Sequence, residues 1–285
     1  MTPSDTTATT SMDSSAVDAA SALNVDGALN EQGERVNHDI DVKVANEYSV
    51  IHGNTHARLS PNWSYTPIYI NKMEEIETII KAVHPQGGKI LDAGCAEGVQ
   101  VAKYREMGYD IIGLDAGYDN DLVVKGSLLE MPFDDNTFDT MMCLDVLEHL
   151  NYSEQPQAMA ELYRVLKPGG TLVFCLPNMA HFTARLKLMF RGKLLRTATV
   201  SHHPGDRCAI EFKGMLDTAG FDITDARGVF PTIPPVYRWV MRYPAKCVGL
   251  LRFLRKLPFP HNWCFQVIYT CKKPLTDSVS PAEVI

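Results

Sequence analysis

The chain has 285 residues, a formal net charge of −7 and 45% hydrophobic residues, a composition typical of an ordinary globular protein. This length allows one large domain with additional terminal segments, and the negative charge argues against nucleic acid as the main partner. We expect no transmembrane segment, because no apolar run reaches roughly 18 residues, and no secretory signal, because the N-terminus lacks its basic and apolar regions.

The number and spacing of the cysteines indicate the redox environment of the protein. The seven cysteines include no Cys-x-x-Cys pair, which predicts reduced thiols and a cytoplasmic location. Cys95, Cys143 and Cys175 fall at or near predicted strand ends. We interpret them as small core residues rather than reactive thiols.

Two segments precede the first predicted strand. Residues 1–38 are rich in Ser, Thr, Ala and Asp and have no basic residue before Arg35, which predicts a disordered acidic tail. Residues 39–84 form an N-terminal segment that begins with an aromatic and histidine-rich stretch. From Pro67 to Val83, apolar residues recur at helical spacing and predict a helix.

The next segment carries the first chemical signal. Residues 89–98 read as a buried strand, a tight turn and the start of a helix, and Gly94 and Gly98 allow the backbone to approach a ligand closely. Asp92 precedes this turn, and Asp115 ends the next predicted strand. A carboxylate before the turn favours a cationic ligand, and the second carboxylate suits ribose hydroxyls. S-adenosylmethionine has both groups.

This turn resembles the first motif of the class I S-adenosylmethionine-dependent methyltransferases, in which an acid precedes three glycines at alternate positions. The four motif positions are occupied here by Asp92, Gly94, Ala96 and Gly98, with Cys95 inside the turn. Ala96 departs from the pattern as the mildest replacement of glycine. The resemblance covers about residues 66–227 and the last strand, and it implies that the N-terminal segment, through Tyr65 or His56, acts as a lid over the cofactor. The alternative for that segment is a structural strap.

The resemblance also implies the fold and the cofactor. We expect an α/β, Rossmann-like, doubly wound sheet of seven mostly parallel strands with an antiparallel last strand, over residues 85–273. The loop at residues 127–133 resembles the family's adenine-contacting loop, with Ser127 where the family usually has Asp and with the Leu128 backbone as a second contact. A hydroxyl accepts hydrogen bonds more weakly than a carboxylate.

The fourth predicted strand, residues 138–145, is a continuous apolar run that suits a parallel strand buried on both faces. Ligands of open α/β sheets bind at the carboxyl ends of the strands. We therefore expect four residues at this end to lie beside the transferred methyl group: Leu144, Asp145, Glu148 and His149. This segment resembles the corresponding one in the ubiquinone-type O-methyltransferases.

The remaining elements continue the pattern. Residues 156–166 predict a helix, and the run Leu-Lys-Pro-Gly-Gly-Thr-Leu that follows is frequent in this family and leads into a fifth strand at residues 171–176. Pro177 to Phe182 and the basic helix that follows, at Arg185 to Leu195, resemble the methionine-biosynthesis protein W-like (type 11/23-like) methyltransferases. A helix at 210–219, a sixth strand that ends at about Ala226 and a last strand at 265–271 follow, with a loose tail at 274–285.

Charge is distributed unevenly along the chain. No acidic residue occurs between Glu161 and Asp206 or between Asp225 and Asp277, although both intervals contain many Lys and Arg. The second interval includes a basic amphipathic insert at residues 231–260. It indicates either an anionic acceptor, or peripheral contact of residues 236–257 with an anionic membrane, or a solvated helical face.

Transfer to a hydroxyl would benefit from a general base, and histidine titrates near neutral pH. His149 is the first candidate and His181 the second, while His202 and His203 lie on a loop that could close over the site; each histidine is alternatively a structural or substrate contact. We predict no metal, because no His, Asp or Glu cluster has ligand spacing along the chain.

The sequence therefore predicts an S-adenosylmethionine-dependent methyltransferase acting, most simply at oxygen, on a small-molecule or lipid- or sugar-linked acceptor. The alternative is a non-catalytic S-adenosylmethionine-binding regulator or scaffold, which Ala96 and Ser127 favour, whereas Asp92, Asp115 and the end of the fourth strand argue against it. A nicotinamide-dependent dehydrogenase is a more distant alternative, because the glycine spacing differs from G-x-G-x-x-G.

Overall fold

A computed structural model describes residues 64–196, 200 and 202–275 of the chain. The predicted acidic tail, the stretch containing His56 and nearly all of the predicted C-terminal tail lie outside the described residues. Within the described ranges, no helix is both long enough and apolar enough to cross a membrane.

Seven strands and seven α-helices make up the described part of the domain. The strands are β1 Lys89–Ala93, β2 Asp110–Asp115, β3 Val123–Lys125, β4 Phe138–Leu144, β5 Leu166–Pro177, β6 Asp222–Pro231 and β7 Cys264–Lys272. The helices are α1 Thr66–Val83, α2 Val99–Glu106, α3 Gln155–Val165, α4 Phe182–Arg191, α5 Ala209–Thr218, α6 Pro234–Arg242 and α7 Val248–Arg255.

The strands form one sheet in the order β3-β2-β1-β4-β5-β7-β6. Strands β1 to β5 pair in parallel, whereas β7 runs antiparallel between β5 and β6. The prediction of a seven-stranded, mostly parallel sheet with an antiparallel last strand is confirmed. The chain order reverses between β1 and β4, so a crevice opens at the carboxyl ends of these two strands, where ligands of doubly wound sheets bind.

Both faces of the sheet are covered, as the continuous apolar strands indicate. Alternate residues contribute to two separate hydrophobic clusters: Leu91 and Met141 face α3 and α5, whereas Ile90 and Met142 face α1, α2, α6 and α7. The sheet is therefore the middle layer of three, and its carboxyl edge is the surface left for binding.

Several element boundaries differ from the prediction. Strand β5 starts at Leu166 rather than Thr171, because Leu166 pairs with Phe138 and the Gly169 N–H donates to the Lys273 carbonyl. The basic helix α4 ends at Arg191, where Gly192 adopts the left-handed conformation. Strand β6 continues to Pro231, and the amphipathic insert forms the two helices α6 and α7.

The glycine turn after β1 packs directly against the end of β4. Gly94 has φ +80°, and a Cβ atom added there would lie 2.4 Å from Val146 Cγ2. The absence of a side chain therefore lets the two strand ends that flank the crevice approach each other.

Replacing Gly94 with Ala should destabilise the protein more than the matched change Gly108→Ala. Both glycines have positive φ, but a Cβ at Gly108 would meet no atom within 4 Å. The left-handed conformation costs an alanine about 1–2 kcal/mol, and forced overpacking costs about 1–3 kcal/mol more. Urea denaturation of the two variants measures the difference, and equal midpoints would contradict the proposed packing constraint.

Candidate active site

The turn between β1 and α2 is held by the carboxylate at the end of β2. Asp115 Oδ2 accepts a hydrogen bond from the Ala96 N–H at 2.8 Å, and Asp115 Oδ1 accepts one from the Gly117 N–H at 2.9 Å. Ala96 adopts φ +51° and Gly98 φ +86°, so both carry the left-handed backbone that the turn requires. Asp115 thereby fixes the cradle, and a carboxylate has acceptor capacity beyond these two bonds.

Asp92 lies at the base of this cradle. Asp92 is 4% exposed. Burial, together with the nearby Asp115 carboxylate, raises the Asp92 pKa to about 7. Among the described residues no cation or hydrogen-bond donor pairs with this carboxylate. A buried carboxylate in this situation favours a bound cation that supplies the missing partner.

The predicted adenine loop follows β3. The Ser127 hydroxyl accepts a hydrogen bond from the Leu129 N–H at 3.1 Å, which closes a tight turn, and the Leu128 side chain is buried in the core. The hydroxyl therefore shapes the loop, and its contact with adenine stays a prediction.

At the end of β4, the half-buried Asp145 is the centre of a hydrogen-bonded network. Its Oδ2 lies 2.5 Å from Lys72 Nζ and 3.2 Å from the Tyr65 hydroxyl, and Gln266 Nε2 donates to both of its oxygens. Burial alone would lower the Lys72 pKa, but the Asp145 carboxylate raises it well above its ordinary value. Lys72 is therefore charged, and the pair joins α1, β4 and β7.

Leu144 ends β4 and is half-buried, and the next turn, Leu147–His149, presents Glu148 and His149. Glu148 is 1% exposed, and burial with the nearby Asp145 charge raises its pKa well above the ordinary value. His149 Nδ1 lies 2.9 Å from the His202 carbonyl oxygen. A carbonyl only accepts, so Nδ1 carries the proton and the neutral ring has its lone pair on Nε2.

The loop at residues 202–207 is clamped over this turn. Gln155 Nε2 donates to the Leu147 and Gly205 carbonyls at 2.8 Å each, and the Gly205 N–H donates to the Glu148 carbonyl. A Cβ on Gly205 would lie 2.1 Å from the Leu150 carbonyl oxygen. The close approach of Gly205 to the Leu150 carbonyl brings the loop against the turn. The His203 and His149 rings therefore pack together, with their centroids 4.6 Å apart.

His181 lies in a different environment from His149. It is the N-cap residue of α4, where its Nδ1 accepts a hydrogen bond from the Ala184 N–H and lies 2.8 Å from Thr232 Oγ1. Burial, followed by the charges of Lys187 and Arg185, lowers the His181 pKa to about 4. The ring is neutral at physiological pH and caps a helix; its predicted role as a base stays a prediction.

All seven cysteines are free thiols. Burial raises the pKa of Cys143 and Cys175 well above the ordinary value, and burial with Asp92 and Asp115 raises that of Cys95. These thiols therefore stay protonated, as expected for small core residues.

The structure gathers the predicted residues into two groups along the carboxyl edge of the sheet. One group surrounds the glycine turn: Asp92, Gly94, Cys95, Ala96, Gly98 and Asp115. The other follows β4: Leu144, Asp145, Glu148 and His149. Sequence reasoning missed Lys72, Gln266, Gln155 and Asp206. Of these, only Lys72 could have been noticed in the sequence, because it is a charged residue between Ile68 and Ile76 on the apolar stripe of α1.

Comparison with known proteins identifies this arrangement. Residues 91–174 match the "Methyltransferase domain" family. A "Probable S-adenosylmethionine-dependent methyltransferase" of Mycolicibacterium smegmatis is 32% identical over 154 residues, which cover 50% of this chain and 56% of the relative. An uncharacterised protein of Methanocaldococcus jannaschii is 31% identical over 171 residues, covering 57% of this chain and 71% of that protein.

The crystal structure of a SAM-dependent methyltransferase from Thermotoga maritima has the same fold, with a TM-score of 0.52, 15% identity, and coverage of 81% of this chain and 99% of that one. The chain thus matches little more than half the length of the Mycolicibacterium relative. These matches, together with the fold, place the chain in the class I S-adenosylmethionine-dependent methyltransferases.

The residues present fit that family's cofactor. The buried Asp92 carboxylate suits its cationic amino-acid end, and the turn beside it, with a left-handed backbone at Gly94 and Gly98, lies at the carboxyl ends of the strands where ligands of this fold bind. Asp115 stands at the neighbouring strand end, where a ribose would lie. When bound, S-adenosylmethionine supplies an activated methyl group on a sulfonium.

Cofactor affinity should depend on pH through Asp92. Only the ionised carboxylate attracts a cation, and with a pKa of about 7 it is mostly protonated at pH 6 and mostly ionised at pH 8. We expect S-adenosylmethionine to bind about tenfold more weakly at pH 6 than at pH 8. Calorimetry at both pH values checks this expectation.

Asp92→Asn should bind weakly with little pH dependence, whereas Asp110→Asn, at the opposite end of the sheet, should keep the wild-type profile. An unchanged pH dependence in Asp92→Asn would show that another group controls binding.

Proposed function

We propose that this protein transfers a methyl group from S-adenosylmethionine to a hydroxyl oxygen of a small-molecule or lipid- or sugar-linked acceptor. The observation that carries the proposal is the hydrogen bond from His149 Nδ1 to the His202 carbonyl at 2.9 Å, which directs the ring's lone pair to Nε2 at the end of β4. An imidazole in this state supports activation of a hydroxyl, which must lose its proton when the new bond forms.

The reaction itself needs little more than positioning. The S–CH₃ bond breaks as the O–CH₃ bond forms, the sulfonium becomes a neutral thioether, and the hydroxyl proton leaves. Holding the two reactants in line can lower the barrier by about 7–11 kcal/mol. The Lys72–Asp145 pair and the Gln155 clamp support this role, because they fix the β4 end and the turn that carries Glu148 and His149.

Aromatic rings close to the Asp145 network would form one wall of the acceptor site. The Phe265 ring contacts both the Tyr65 and the His181 rings, and the His181 ring stacks on Tyr237. Lys187 Nζ lies 5.7 Å from the centre of the Tyr237 ring. Aromatic faces with a nearby cation suit a flat or partly anionic acceptor.

Replacing His149 with Ala should lower methyl transfer by about 10²–10⁴-fold with little change in cofactor affinity, because the ring lies with the β4 group rather than the glycine turn. Labelled S-adenosylmethionine with a metabolite extract reports transfer, and calorimetry with the demethylated product reports affinity. His84→Asn, beside β4 at its amino end, is the matched control.

Wild-type turnover in His149→Ala would remove this histidine from the reaction. Absence of labelled product from wild-type protein in every extract would instead favour the non-catalytic alternative. Mass spectrometry of the labelled product then distinguishes oxygen from nitrogen or carbon as the site of methylation.

We further propose that the α6–α7 insert makes peripheral contact with anionic membranes, in a protein that is otherwise cytoplasmic. Exposed aromatic residues support this proposal, with Trp239 48% and Phe253 61% exposed. The basic charge of α7 is partly neutralised, because Arg252 and Arg255 bridge to Glu74 on α1. Attraction to the membrane would therefore depend mainly on the cations of α6, each worth about 1 kcal/mol near anionic lipid.

Trp239→Ser combined with Phe253→Ser should abolish sedimentation with phosphatidylglycerol vesicles, because the variant loses the apolar contact area. Ile210→Ser on α5, where the apolar side chain is 75% exposed, should sediment like the wild type. Equal recovery of wild-type protein in the supernatant with and without vesicles would refute membrane contact.

A further inference from the structure

Three potential metal ligands meet beside the proposed acceptor position. Glu148 and His149 come from the turn after β4, and His203 comes from the clamped loop much later in the chain. One ligand atom from each side chain lies within 4.8 Å of the other two. The spacing along the chain gave no metal signal, because only folding brings His203 to this turn.

Glu148 supplies the second observation. Its Oε2 atom is fully buried and has no hydrogen-bond partner within the described part of the chain. Leaving a carboxylate oxygen without a partner inside a protein is unfavourable, and hydrogen bonds or metal ions are the usual partners of such groups. A buried carboxylate that has one unpartnered oxygen and lies beside two imidazoles has the composition of a cation site.

Both histidines are oriented in the way that metal-binding histidines usually are. His149 Nδ1 donates to the His202 carbonyl at 2.9 Å, and His203 Nδ1 lies 3.3 Å from Asp206 Oδ1. Asp206 is 2% exposed and its loop is fixed by the bond from the Tyr152 hydroxyl to the Asp206 carbonyl. A carbonyl or carboxylate on one ring nitrogen fixes the tautomer and makes the other nitrogen the metal ligand.

The local charge also favours a cation. Three buried or half-buried carboxylates, those of Asp145, Glu148 and Asp206, lie in this region, and the buried Lys72 is paired with Asp145. The Lys72–Asp145 ion pair accounts for one of these carboxylates, and a divalent ion would favour the ionised form of the buried Glu148 carboxylate.

From this geometry we propose that Glu148 and the Nε2 atoms of His149 and His203 bind one divalent transition-metal ion. Two imidazole nitrogens with one carboxylate oxygen favour Zn²⁺, Co²⁺ or Fe²⁺ over Ca²⁺ or Mg²⁺. Three protein ligands leave at least one coordination position open, which is the arrangement of catalytic rather than structural sites.

The consequence for activity rests on the proposed transfer to oxygen. An acceptor hydroxyl in the open position would have its pKa lowered by the ion, and its proton would leave to solvent or a nearby base while the methyl group moves from sulfur to oxygen. When the ion is bound, His149 acts as a metal ligand rather than as the general base. Metal binding itself can be measured without any acceptor.

The test is titration of untagged, chelator-treated protein with Co²⁺, whose visible absorption reports nitrogen and oxygen ligation. We expect saturation at one ion per chain and displacement by Zn²⁺. His203→Gln and Glu148→Gln should each weaken binding at least tenfold, and Asp206→Asn should weaken it about 10–100-fold by releasing the His203 ring. His84→Gln, on the amino side of the sheet, should bind like the wild type.

Two results would overturn the site: absence of saturable Co²⁺ binding by the folded wild-type protein, or equal affinity in the wild type and His203→Gln. Circular dichroism confirms folding, and should Glu148→Gln fail to fold, His203→Gln decides the question alone. Metal binding without transfer to oxygen would refute the proposed function and keep the site. Transfer to oxygen that is unaffected by chelation, with no ion bound, would refute the site and keep the function.

Discussion

The ion pair between the buried Lys72 and the half-buried Asp145 is the interaction on which the arrangement of this site depends. It joins the first described helix to the end of β4, and Gln266 extends the contact to β7. Asp145 holds a left-handed backbone with φ +57°, a conformation that non-glycine residues adopt only when their surroundings fix it. Removing the Asp145 carboxylate would leave the buried Lys72 charge without its partner, which costs about 3–5 kcal/mol.

A second constraint acts one turn further along the chain. Gln155 is fully buried and bonds at once to the turn after β4 and to the loop carrying His203, while its Oε1 accepts from Arg207. Gly205 permits the close approach of these segments. The proposed acceptor side is therefore assembled from two distant segments by one amide side chain, whereas the predicted cofactor side is assembled locally around Asp115.

Much of the fold could be predicted from local patterns. The apolar runs of β1, β2 and β4, the glycine turn and the periodic helix before it each reflect short-range rules of burial and backbone geometry. The boundary errors occurred where tertiary contacts extend an element. Strand β5 gains its first residues from pairing with Phe138 and Lys273, and β6 lengthens because β7 pairs with it as far as Pro231. No local pattern around those residues carries that information.

The sequence by itself determined the class of fold and the cofactor, and it predicted the strand ends at which the cofactor would bind, because these depend on residues close together along the chain. It also indicated which histidine follows β4. Only the tertiary structure decided that Asp145 is paired with Lys72, that His181 caps a helix, and that His203 joins Glu148 and His149. Those contacts join segments far apart in sequence, and their partners are chosen by packing of whole elements rather than by any spacing that the chain displays.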